Sequence, residues 1–299
     1  MSKSRMILVI IFAISCGKSP ARETVLQYPD IADKASKYLD LAKQSADANK
    51  WPVSDCDALL WASLYNVAGG DADLDKARDA SGKWYRTPSH DCYPSRSKSS
   101  ISQDMILGLV LASWQARDAG RIAELIKYGE DHVSIGGWWL FGEGAPSRTL
   151  IRTNLQATIY RASRKLGGPS NRLADFPPVF AHVQGYEAHL HVLHILLKGL
   201  IDGSITSYDL SFMRYFAERA PRNALFQAVL HRFTDGDYST AAQILRDEAL
   251  FPSDRLPTSA ERCEPYLWQR DDGESWQPCP TESKQHPGID FMLAAYLIK

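Results

Sequence analysis

The chain has 299 residues, with 34 Lys and Arg set against 35 Asp and Glu, for a formal net charge of −1. That length suffices for one large domain with a sizeable core. The near-balanced charge, with no long run of one sign, excludes the basic stripe that nucleic-acid binding demands, although a short basic loop does occur at Ser95-Arg96-Ser97-Lys98.

In chain order, Lys3 and Arg5 precede an apolar run from Met6 to Ile14. The run is too short to cross a hydrocarbon core of ~30 Å as a helix, which needs about 20 residues. Its end, Ala13-Ile14-Ser15-Cys16, resembles a bacterial lipobox. The resemblance implies cleavage before Cys16, acylation of the Cys16 thiol and amine, and a mature chain anchored in a membrane by lipid alone. Loss of Lys3 and Arg5 would take the net charge from −1 to −3. Gly17 stands where an inner-membrane retention signal would have Asp, so an outer-membrane destination in a bacterial envelope is expected. Residues 16–30 read as a polar tether, and 31–299 as a single domain.

Beyond the tether, apolar residues recur every three or four positions and strand-like alternation is scarce. The pattern predicts helices near 31–48, 55–68, 71–82, 102–117, 119–130, 150–166, 186–202, 206–219, 223–234, 238–249 and 287–298. Gly69-Gly70, Gly167-Gly168-Pro169, Asp202-Gly203 and Asp235-Gly236 supply stops. Pro169, Pro177 and Pro178 argue against a regular helix over 169–182. If Cys16 carries lipid, Cys56, Cys92, Cys263 and Cys279 remain as an even set in an oxidising compartment. Of the three connectivities, proximity in sequence favours Cys56–Cys92 with Cys263–Cys279. No pair has the C-x2-C spacing that zinc prefers.

The helices are of two kinds. Those at 59–67, 105–114, 190–200 and 289–298 are apolar on most sides and therefore buried. Those at 31–48, 71–82, 119–130 and 238–249 are amphipathic. With 150–166 and 223–234 counted among the buried group, about six inner helices alternate with outer ones. That alternation resembles the (α/α)6 toroid of some glycoside hydrolases and polysaccharide lyases, and implies an all-α fold of about 11–12 helices with long loops and two disulfides. An α-solenoid of helical hairpins shares the two-helix period, but no repeating residue signature is present.

Toroids of this kind place their cleft at the N-terminal ends of the inner helices, and candidate residues cluster at those positions. Asp55 and Asp57 open one inner helix and Asp104 the next. The segment Gly136-Gly137-Trp138-Trp139-Leu140-Phe141-Gly142-Glu143 to Arg148 precedes a third. Indole faces stack on sugar rings, and glycine allows close approach to a ligand. A carboxyl desolvated by such aromatics has a raised pKa suited to a general acid. Asp104 and Glu143 are accordingly the expected acid–base pair, with Asp57 nearby. Such pairs stand about 5–5.5 Å apart for retention or roughly 6.5–9.5 Å for inversion. Trp138, Trp139 and Trp276 are the expected sugar platforms, with Arg96 and Arg148 holding an acidic group.

Glu187, His191, His194 and Lys198 share one helical face. The stripe has two readings: a polar network lining the cleft with Glu187 nearest its mouth, or, less in keeping with its spacing, a metal site. No cofactor is expected, and no nucleophile elbow, phosphate loop or dinucleotide fingerprint is present. The expectation is a monomeric, lipid-anchored enzyme that cleaves a polysaccharide such as peptidoglycan. The alternative is a non-catalytic envelope lipoprotein that binds a glycan or a partner protein.

Overall fold

A computed structural model describes residues 27–48, 50–52, 56–92, 101–134, 137–139, 150–175, 188–258 and 287–299. Of 133–134, 137–139 and 150–153 only the backbone is considered. Cys16 with its leader and the tether as far as residue 26, Asp55, Arg96, Glu143, Arg148, Glu187, Cys263, Trp276 and Cys279 lie outside the described residues, and the last residues of the expected tether, Pro29 and Asp30, already belong to the first helix.

The fold is mostly helical, with ten α-helices among the described residues. They are α1 (Pro29–Ser45), α2 (Ala58–Val67), α3 (Gln103–Gln115), α4 (Ala119–Asp131), α5 (Thr153–Lys165), α6 (Ala188–Asp202), α7 (Ser207–Arg219), α8 (Ala224–Arg232), α9 (Ser239–Leu245) and α10 (Ile289–Leu297). Local chemistry sets several boundaries. Pro29 opens α1, where a missing N–H costs nothing, with Asp30 in the first turn and Lys43 in the last. A reciprocal capping box between Thr206 and Asp209 opens α7.

Two expectations need correction. Residues 71–82 were expected to be helical, yet they form only a short 3-10 turn, Leu74–Ala77, followed by a bridge between Arg78 and Trp84. The reason lies in Asp79, whose carboxylate accepts the N–H groups of Ser81 (2.8 Å) and Lys83 (3.2 Å), while Gly82 takes a φ of 89°. This side-chain turn outcompetes the helix ladder. Residues 150–152, expected to begin a helix, instead form β3 (Leu150–Arg152) of a small antiparallel sheet with β1 (Val133–Ser134) and β2 (Gly137–Trp139). Strands of two and three residues are too short to leave a readable period. A second 3-10 turn, Arg172–Asp175, occupies part of the proline-interrupted stretch.

The greasy helices pack on one another. α2 lies on α3, α3 on α5 and α6, α5 on α6, α6 on α8, and α8 on α10, and α10 packs back against α2. Amphipathic elements cover them: α1 on α10, α4 on α3 and α5, α7 on α6 and α8, and α9 on α8 and α10, with the 3-10 turns against α2 and α5. A single hydrophobic cluster runs through all of these helices. Gly108 of α3 lets α2 come close, since a Cβ there would lie 3.1 Å from Leu60 and 3.2 Å from Ser63. Contacts across a long stretch of chain hold α1. Asp30 pairs with Arg246 (2.6 Å), Lys34 donates to Leu245 O (3.2 Å) and Glu248 (3.0 Å), and Tyr38 donates to Pro252 O (2.7 Å) and packs on Phe291. Among the described residues, no helix is long and apolar enough to cross a membrane.

Cys56 and Cys92 form a disulfide across 36 residues, with Cα atoms 5.4 Å apart. Closing a loop of that length restricts the unfolded chain by about 3–4 kcal/mol. The double variant Cys56→Ser/Cys92→Ser should therefore unfold at clearly lower urea concentration than the parent. Equal midpoints would show that the link adds nothing to stability.

Candidate functional site

Neighbouring contacts show that six of the helices run in the same direction. Leu59 N–H donates to Arg86 O (2.9 Å) and Ile101 N–H donates to Trp84 O (3.3 Å), so the short segment 84–86 ties the starts of α2 and α3 together. At the other end, three residues connect α3 to α4. A Cβ on Gly168, just past the end of α5, would lie 3.8 Å from Ala119 O at the start of α4. The C-terminal ends of α3 and α5 therefore meet. Thr158 bonds His194 and, further along both helices, Arg161 pairs with Asp202, each at 2.6 Å, so α5 and α6 run alike. Gly199 near the end of α6 abuts Phe233 at the end of α8, and Arg232 donates to Leu297 O (3.1 Å), which aligns α8 with α10.

The N-termini of α2, α3, α5, α6, α8 and α10 consequently face the same way. Five of the six, all but α6, open on an acid or an amide among the described residues. Asp57 precedes α2, Asp104 and Asn154 are second residues of α3 and α5, Asn223 precedes α8, and Asp290 is second in α10. Asn223 Oδ1 caps its helix by accepting from Phe226 N–H (3.2 Å). Asp290 is buried, its Oδ1 accepting from Phe291 N–H (2.9 Å). Asp104 is half-buried and accepts from the Ser102 hydroxyl and from Met105 N–H (3.0 Å). Asp57 does not cap with its carboxylate. Its Oδ1 instead pairs with Arg86 Nη1 at 3.2 Å, and the same nitrogen donates to Cys56 O. Arg86 thus locks the start of α2 beside the disulfide.

Of the residues expected from sequence, Asp57 and Asp104 stand at this end. Trp139 pairs with Leu150 in the β2–β3 ladder, and Trp138 with Ile151. The β2–β3 ladder leads directly into α5. Arg86, Asn154 and Gln156 were not singled out from sequence. Arg86 sits in an irregular stretch with no period, whereas Asn154 and the buried Gln156 occupy the first turn of α5 and could have been found by reading polar residues at helix starts.

His191, His194 and Lys198 of the α6 stripe make helix–helix contacts, and Glu187 lies outside the described residues. His194 is fully buried with Nε2 on Thr158 Oγ1, and His191 is buried with its ring beside Phe212 (4.6 Å) and Phe216 (5.5 Å) of α7. Lys198 reaches both carboxylate oxygens of Asp209 at 2.8 Å. Among the described residues, no three His, Cys, Asp or Glu side chains stand close enough to hold a metal. Desolvation depresses the His191 pKa from 6.5 to about 4; the Lys198 charge adds to that and the Asp209 charge opposes it. His194, more deeply buried and facing Lys198 and His191, lies well below its ordinary value.

A depressed histidine contributes stability that is complete above its unfolded pKa and is lost as pH falls from 6.5 toward 4. The slope is about 1.4 kcal/mol per pH unit for each histidine. Urea midpoints should accordingly fall between pH 7 and pH 5, and His191→Phe should make that fall shallower. An unaltered fall in the variant would exclude His191 as a source.

No family model, curated protein or solved structure matches this chain.

Proposed function

We propose that the chain is a lipid-anchored enzyme of the bacterial envelope that cleaves a polysaccharide by carboxylate acid–base chemistry, on an (α/α)6 toroid. Support for the toroid comes from six co-directional helices, each packed on the next with α10 against α2, and from the covering element that precedes each of them in the chain. One observation carries the functional reading: the co-directional helices bring Asp57, Asp104, Asn154, Asn223 and Asp290 to one end of the fold. The β2–β3 ladder leads to the same end.

In this reading Asp104 and Glu143 share the proton work, one protonating the leaving oxygen while the other assists attack. Asp57, held by Arg86, contributes negative charge beside them. Trp138, Trp139 and Trp276 offer sugar platforms, and Arg96 and Arg148 bind an acidic group of the substrate. The aligned helix N-termini supply partial positive charge, which favours a polyanionic glycan. Cys16 carries the lipid.

A second reading, a glycan-binding lipoprotein without catalysis, draws support from the Asp57–Arg86 ion pair, since a paired carboxylate is a poor acid or base. Detergent-solubilised full-length protein incubated with a panel of envelope and other polysaccharides separates the two. New reducing or unsaturated sugar ends support the enzyme. Glycan retained without new ends supports the binder, and neither outcome on any substrate sinks both.

A further inference from the structure

Helix α7 carries the only large apolar side chains that are exposed among the described residues, Tyr208 (42%) and Tyr215 (46%). They are seven residues apart, which places them on almost the same line of the helix, two turns or about 10 Å along the axis. Neither ring stands alone. Tyr208 meets Phe212 edge-on at 4.8 Å, Tyr215 meets Phe216 at 5.8 Å, and the Arg219 guanidinium lies 5.6 Å over the Tyr215 ring. These contacts fix the rings before any ligand arrives, which lowers the ordering cost of binding. Exposed Arg219 lies close to the line of the two rings and brings a positive charge to it, whereas exposed Arg214 stands about 100° round the helix from Tyr215 and exposed Glu218 about 60°.

We propose that this strip is a second glycan-binding site, specific for an extended β-linked polysaccharide that bears carboxylates. In such a strand every second sugar presents the same face, over about the length of two helical turns. Tyr208 and Tyr215 stack on alternate sugars and Arg219 complements a carboxylate. The proposal rests on the polysaccharide reading above, yet it concerns a surface separate from the helix N-termini. Its work is to hold a long strand to the protein, so it bears on long substrates and not on short ones.

Native affinity electrophoresis of the full-length protein tests it, with carboxymethylcellulose, hydroxyethylcellulose or solubilised peptidoglycan strands cast in the gel. Retardation by carboxymethylcellulose and peptidoglycan is expected, and less by neutral hydroxyethylcellulose. Tyr208→Ala/Tyr215→Ala should weaken the affinity about tenfold or more, and Arg219→Gln should lessen the preference for the acidic polymer. Both side chains are exposed, so the double variant should keep the parent's circular dichroism and any release of sugar ends from short oligosaccharides. Equal retardation of parent and double variant overturns the proposal, as does a parent that none of the three polymers retards. Tyrosine-dependent binding to phosphatidylglycerol vesicles without glycan retardation overturns it in favour of a lipid surface. Sugar-end release reports on the proposed catalytic end, so failure there is distinguishable from failure here.

Discussion

On a polysaccharide that the protein cleaves, Asp104→Asn should lower kcat a hundredfold or more, the usual worth of a positioned general acid or base. Asparagine keeps an oxygen that can accept from Ser102 and from Met105 N–H, so the start of α3 should survive the change. What is lost is the capacity to exchange a proton at that oxygen. Glu143→Gln should produce a loss of the same order, and the double variant should lose little more than either single one, because residues that act as a unit are not additive. The measurement is kcat and KM for parent and variants at matched thermal stability. A rise in KM alone would assign Asp104 to binding. Unchanged kinetics in both variants would remove the pair from the reaction and direct attention to Asp290.

Asp209→Ala should lower the thermal midpoint by about 10 °C, because it leaves the Lys198 ammonium buried without its carboxylate. Removing one partner of a buried pair costs roughly 3–5 kcal/mol, and each kcal/mol moves the midpoint of a domain this large by about 2–4 °C. Asp209 also completes the capping box with Thr206 at the start of α7, so the same change removes a cap. Replacing both partners, Asp209→Leu with Lys198→Met, should recover much of the loss, since the demand for a counter-charge disappears with the charge. A single variant as stable as the parent would show that Lys198 finds water or another acceptor when Asp209 is gone.

Helices such as α3 and α10 are legible because nearly every position is apolar, and α1 and α4 because their apolar positions recur on one face. The 71–82 segment reads as a helix because Leu74 and Ala77 mimic a helical period, while the carboxylate of Asp79, which decides the turn, has no periodic signature. β1 to β3 left no trace for want of length. Asp57 and Asp104 were found as acids at helix starts, but the Arg86 partner of Asp57 was not, because that contact joins positions 29 residues apart through an irregular stretch. Spacing puts His191 and His194 of α6 on one side of the helix, yet His191 meets α7 and His194 meets α5. Which neighbours that face would meet depended on how α5, α6 and α7 pack, which spacing along one helix cannot encode.

The position of α1 bears on the order in which the chain can mature. Most of the remaining helices touch partners close by in sequence and can dock as they are made. α1 instead finds Leu245, Arg246, Glu248, Pro252 and Phe291 more than two hundred residues later. A chain that emerges N-terminus first must therefore keep α1 waiting until α10 has been synthesised, with Ile31 and Tyr38 uncovered meanwhile. During that interval the segment is the natural target for a chaperone, and its docking closes the period of vulnerability.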